Sequence, residues 1–307
     1  MVGYYKTSSG KVFPLGKQDI INISNRDIIE LVLPEGCKEV DCSCNQLTEL
    51  VIPKGCEKVN CSNNKLTELV IPEGCKEVDC VRNELIKLII PKGCKEVNCQ
   101  LNNLTELAIP EGCEIVYCWS NKLTELVLPN ACKDVRCGDN QLTELGLSDG
   151  CEIVYCSYNQ LTELIIPEGC KEVYCSNNNL TELVIPKGCN YVECDHNELT
   201  NLVLSEGCEY LSCRHNKLTE LVIPESCTYV EIQNNKLTNI TIPKNVVYFC
   251  CHNNQLTELV IPDGCKNVYC LRNQIKKLNI PNDCILAICN LKSITELNKV
   301  ECLNIFI

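Results

Sequence analysis

Two columns of cysteine are the residues in this sequence best able to do chemistry. Cysteine recurs every 19 residues from Cys37 to Cys284, with Val246 in one slot. It recurs again five residues later, from Cys42 to Cys289, with Ile232 in one slot. The columns hold 26 of the 29 cysteines; only Cys44, Cys250 and Cys302 stand apart. Three chemistries are open to such columns: packed thiols, disulfides or metal thiolates. Equivalent Cβ atoms in stacked units lie about one strand spacing apart with parallel vectors, which is wide of disulfide geometry. Pairing within a unit would orphan Cys227 and Cys251, whose partner slots hold Ile232 and Val246. The C-x-x-x-x-C spacing is not a zinc spacing. The columns therefore read as reduced core thiols, small hydrophobes in a narrow interior, with disulfide and metal as alternatives. Cys250, expected to point outward beside Cys251, and Cys44, just beyond a strand, read as bystander thiols.

The three histidines are the next candidates. His196 and His215 are equivalent in adjacent units, and His252 lies two units further, near Glu193, Asp195, Arg214 and Glu231. A metal or general-base site lacks a fixed third ligand, so a pH-sensitive contact is the simpler use. No nucleophile–base pair or phosphate-binding loop appears elsewhere. The chain reads as non-enzymatic, with no cofactor and no metal.

The elements that position these residues are copies of one unit. Its clearest examples, Cys56–Gly74 and Cys170–Gly188, follow C-x-x-V-x-C-x-x-N-x-L-T-E-L-x-I-P-x-G. An uninterrupted period of 19 from Cys37 to Ile294 is the signature of a solenoid, in which a single repeat cannot bury its own apolar face. Alternation within the unit has period 2: Val173 and Cys175 share one side, Glu172 and Tyr174 the other. Leu183 and Ile185 alternate again further on. This predicts two short extended segments per coil. Pro-x-Gly then supplies a turn, leaving almost no α-helix. The asparagine column from Asn45 to Asn273 reads as buried amides bonded to the backbone of their own and the neighbouring coil.

The whole reads as a single solenoid domain. Residues 1–36 form an N-terminal cap and a degenerate first repeat, and residues 37–283 form thirteen regular repeats. Residues 284–307 are a decaying last repeat and C-terminal cap, with Lys292 in the asparagine slot. The unit resembles the leucine-rich repeat, L-x-x-L-x-L-x-x-N-x-L, with Cys170, Val173, Cys175, Asn178 and Leu180 in those positions. Cysteine stands where that family usually has leucine. The short, proline-containing form is most similar to repeats of bacterial effectors and giant-virus proteins. The resemblance implies a β-rich solenoid with a parallel concave sheet, protein binding and a host-facing role.

Surface columns supply the candidate site. Outward strand positions before Cys99 are small or charged (Asp41, Asn60, Asp79, Asn98). Later residues projecting from the strand or its end are aromatic: Tyr117, Trp119, Tyr155, Tyr158, Tyr174 and Tyr269, with Arg136 among them. Tyr191, Tyr210, Tyr229 and Tyr248 stack one column nearer the strand start. Tyr, Trp and Arg are enriched at interface hot spots, so this face is the expected binding surface for a partner protein. Glutamates after each Leu-Thr (Glu49, Glu68, Glu182 and equivalents) read as a solvated convex stripe, eased by Lys65, Lys122 and Lys217. The net charge of −12 argues against a nucleic-acid partner. No apolar run is long enough for a leader or a membrane span, so a cytoplasmic protein is expected. It is read as a monomer, or as self-associating weakly end to end or face to face. Two rival readings are a thiol-rich redox or metal-buffering protein, and a self-assembling protein that docks through Leu303–Ile307.

Overall fold

The computed structural model describes residues 3–290, 294–299 and 304–306. Lys292, Cys302, Leu303 and Ile307 lie outside them. Among the described residues there is no helix; every regular element is a strand. The chain divides into two compact units, Met1–Cys151 and Glu152–Ile307.

The first unit opens with a hairpin of β1 (Gly3–Thr7) and β2 (Val12–Leu15). Strand β1 also pairs antiparallel with β4 (Ile28–Val32) of the degenerate first repeat, and Tyr5 stacks on Phe13 at 5.0 Å. A parallel sheet follows, built from β3 (Ile20–Asn22), β5 (Glu39–Asp41), β6 (Lys58–Asn60), β8 (Glu77–Asp79), β10 (Glu96–Asn98), β11 (Ile115–Tyr117) and β12 (Asp134–Arg136). The register advances by one repeat per strand, so Val40, Val59, Val78, Val97, Val116 and Val135 form one inward row.

The second unit repeats the plan with β13 (Ile153–Tyr155), β14 (Glu172–Tyr174), β16 (Tyr191–Glu193), β18 (Tyr210–Ser212), β19 (Tyr229–Glu231), β20 (Tyr248–Cys250), β22 (Asn267–Tyr269), β24 (Leu286–Ile288) and β26 (Asn304–Phe306). On the opposite side, only some segments pair into strands. They are β7 (Glu68–Val70) with β9 (Lys87–Ile89) in the first unit. In the second unit they are β15 (Glu182–Ile185) with β17 (Asn201–Leu204), and the set β21 (Glu258–Val260), β23 (Lys277–Ile280) and β25 (Glu296–Lys299).

Each coil is closed by the same few side chains. Val173, Cys170, Cys175 and Leu180 are wholly buried, and Leu183 and Ile185 complete the layer from the other side. Burying a Val or Leu stabilises by about 1.5–3 kcal/mol, so no single coil suffices and stacking is required. The asparagine column does its expected work. Asn178 Nδ2 donates to the carbonyls of Cys156 and Cys175, both at 3.1 Å, and its Oδ1 accepts from Leu161 N–H at 3.0 Å. One amide thus joins two coils and satisfies backbone groups that no strand reaches.

Among the described residues no cysteine is in a disulfide. In the first column the thiol donates to backbone: Cys56 Sγ lies 3.4 Å from Lys38 O and 3.5 Å from Lys58 O. Lys38 O also accepts from the backbone N–H groups of Glu57 and Lys58, so the thiol adds a weak donor to a carbonyl that is already bonded.

Candidate functional site

The outward columns of the second unit's sheet carry the most elaborate arrangement. Parallel in-register pairing sets Tyr191, Tyr210, Tyr229 and Tyr248 side by side. Their rings stack at centroid distances of 4.2, 4.8 and 4.3 Å. Tyr174 stands one column over, yet its ring reaches Tyr191 at 4.8 Å, and Tyr155 stacks on Tyr174 at 4.8 Å. At the other end Tyr248 meets Tyr269 at 5.5 Å. Two groups that look separate in sequence are therefore one continuous ladder from Tyr155 to Tyr269. Each aromatic contact contributes about 0.5–1.5 kcal/mol beyond burial. Stacking hides the ring faces and leaves edges and hydroxyls outward. Burial, followed by the Glu172 carboxylate, pushes the Tyr174 phenol well above its usual range.

Beside the ladder lies a polar grid. Its middle column is Glu193, Ser212, Glu231 and Cys250, set by the same register. Its outer column is Asp195, Arg214, Gln233 and His252. Asp195 is 2 % exposed. It accepts from Ser212 Oγ, Arg214 N and Arg214 Nε, each at 2.7 Å. Arg214 also reaches Glu231 Oε2 at 3.4 Å, and Tyr229 donates to Glu231 Oε1 at 3.1 Å. The bond to Asp195 raises the Arg214 pKa still further, so the guanidinium stays charged. Glu193, by contrast, has only Ser176 Oγ at 3.4 Å. Burial first, then the Asp195 charge, raises its carboxyl above the ordinary range.

The histidines border this grid. His196 and His215 stack at 4.2 Å from turn positions with φ of 52° and 54°, and Asn234 Nδ2 lies 3.0 Å from His215 Nε2. Burial lowers the His215 pKa, with the His196 charge second, so the His215 imidazole is favoured neutral. His252 Nδ1 lies 3.2 Å from Cys250 Sγ. Among the described residues no group of three or more His, Cys, Asp or Glu side chains stands where it would hold a metal.

Several expectations need correction. Cys250 lies on the outer face but is 4 % exposed, covered between its neighbours, and burial pushes its thiol to about 11. Tyr158 stands past the end of its strand rather than on it, one of the two positions open to it. It sits in the turn after β13 at φ 60°, 61 % exposed, and takes no part in the ring stack. The small residues of the first unit are not free of local rules. Asp41 Oδ1 accepts from Ser43 N and Oγ, Asn60 Oδ1 does the same for Ser62, and Asp79 Oδ1 accepts from Val81 N. These side chains fix the turn that leaves the strand. Within that unit, Arg136 lies over the Tyr117 ring at 4.7 Å, and Tyr117 donates to Asp134 at 2.9 Å. Trp119 is 36 % exposed, at the end of β11.

The sequence reading missed Ser212 and Gln233, which it could have found by extending the outward columns past each strand end. It also missed an aliphatic column on the opposite side. Residues two places after members of the glutamate stripe are exposed: Val51 and Val127 in the first unit, Ile165 and Val222 in the second. Lys65 and Lys217 bond Gln46 and Glu198 rather than that glutamate column.

No protein-family model matches the sequence, and no curated protein does. Solved structures do match. YopM from Yersinia enterocolitica is 16% identical with TM-score 0.52, over 94% of this chain and 91% of that one. YopM from Yersinia pestis, described as a leucine-rich effector protein, is 20% identical with TM-score 0.61, over 91% and 88%. The functional domain of InlJ from Listeria monocytogenes, described as including a cysteine ladder, is 20% identical with TM-score 0.49, over 78% and 69%. The fold is the leucine-rich repeat fold.

Proposed function

We propose that this chain is a non-enzymatic protein-interaction scaffold whose partner binds the sheet face of the second unit, along the tyrosine ladder. The continuous ring stack from Tyr155 to Tyr269 carries the reading. Tyrosine is the side chain that interfaces favour for large area and a polar tip. Rings already held by their neighbours lose little rotamer freedom on binding, so more of the contact energy appears as affinity. Tyr158, exposed beside Tyr155, acts as a rim contact. In the first unit, Tyr117, Trp119 and Arg136 form a second contact element of the same chemistry. A host-facing role in a reducing cytoplasm extends this reading, in keeping with an effector's fold and with buried thiols.

A photo-crosslinking amino acid at position 210, compared with one at position 222 on the opposite side, tests the proposal. A partner captured at 210 and absent at 222 is the expected result. Capture confined to 222 would place the binding surface on the aliphatic column instead.

A further inference from the structure

Resting on that reading, we propose that the partner offers a basic segment to the second unit's polar grid. One cation would be received by Glu231 and Gln233, and another by Glu193. The argument starts from unmet hydrogen-bonding capacity. Gln233 is 6 % exposed, and among the described residues its Oε1 has no hydrogen-bond partner. A buried amide oxygen left unpaired costs about 1–3 kcal/mol, so a donor arriving there is favoured. The charge at the same place is also unbalanced. Three carboxylates, Glu193, Asp195 and Glu231, face one guanidinium, Arg214, and Asp195 takes its two short side-chain bonds. Glu231 has a 3.4 Å contact to Arg214 and otherwise only neutral hydroxyl donors, Tyr229 and Ser212, at 3.1 and 3.4 Å. Glu193 keeps only a serine hydroxyl.

These facts select the ligand class. A neutral donor would satisfy Gln233 but leave the carboxylates uncompensated, and an anion would be repelled by them. An arginine or lysine side chain meets both needs, and Arg214 on Asp195 already shows how a guanidinium fits this grid. Glu193 and Glu231 lie two strands apart, in register through Ser212. Two strand spacings are about 10 Å, which an extended segment covers in about three residues. The raised pKa of Glu193 agrees with a carboxylate that lacks its cation.

Fluorescence anisotropy with labelled hexa-arginine, and hexaglutamate as control, tests this at fixed salt. The wild type should bind the first and not the second. The Glu193→Gln/Gln233→Leu variant should bind at least about tenfold more weakly, as expected for lost charge-assisted bonds. Glu182→Gln, on the other side of the coil, should change affinity by less than about twofold. Absence of hexa-arginine binding by the wild type would overturn the proposal. An equal loss from Glu182→Gln would also overturn it, since attraction to the net charge would then be diffuse. Glu193→Gln alone, at a half-exposed position, serves if the double variant does not fold. Its unchanged affinity would count against the proposal. Partner crosslinks at position 210 together with no hexa-arginine binding would remove this inference and leave the binding face standing.

Discussion

Raising the pH tests the packing of the thiols. Cys42, Cys99 and Cys137 are 0 % exposed, and burial pushes each from an ordinary 9.0 to about 12. All three belong to the first unit. A folded thiol whose pKa is raised keeps a proton that the unfolded chain gives up. Its contribution is therefore complete below pH 9 and is lost as the pH climbs toward 12. At pH 10 each such thiol removes about 1.4 kcal/mol of stability, and the three together about 4 kcal/mol. Ordinary domains hold only about 5–15 kcal/mol, so the first unit should be close to unfolding at that pH. Urea titrations followed by circular dichroism between pH 7 and 10, in reductant, measure the slope. Thiolate absorbance reports whether the protons leave before or with unfolding. A flat stability profile, or thiolates appearing near pH 9 in the folded chain, would refute buried, reduced columns.

Other outcomes follow from single contacts. Asn178→Ala strands Leu161 N–H, while the carbonyls of Cys156 and Cys175 each keep one amide donor, from Asn159 and Asn197. It should cost about 1–3 kcal/mol in urea unfolding. Arg82 occupies the left-handed turn position at φ 58°, where other coils carry Asn63 and Asn177. Arg82→Asn should therefore stabilise by about 0.5–1 kcal/mol. Gly207 has φ +111°, and a Cβ there would lie 2.9 Å from Gly188 Cα. Gly207→Ala should destabilise by about 2 kcal/mol or more, read as a lower melting temperature. Hexa-arginine affinity should fall as the pH drops through the raised Glu193 pKa, because protonation removes the charge the ligand needs. A pH-independent affinity would exclude that carboxylate.

Periodicity made most of the fold legible. Positions that must pack, such as Val173, Cys175, Asn178 and Leu180, recur with fixed spacing, and one backbone geometry serves all of them. The candidate site was half legible. Its tyrosines stand out by type, but the step of the ladder from Tyr174 to Tyr191 crosses columns and depends on side-chain reach. Strand alternation does not encode that reach. The burial of Cys250 likewise depends on neighbours in adjacent coils. So does the pairing of Asp195 with Arg214, 19 residues apart in sequence and adjacent in space. Strand alternation says nothing of the turn roles of Asp41 and Asn60, because it marks them only as outward, whereas each accepts from the backbone two residues on.

The central claim is that the ladder is the binding surface. The most direct test is the affinity of the crosslinked partner for the wild type and for Tyr210→Ala/Tyr229→Ala, each shown folded by circular dichroism. Loss of two central aromatic anchors should weaken binding by at least about thirtyfold, roughly 2 kcal/mol. An unchanged affinity in the folded variant would contradict the claim.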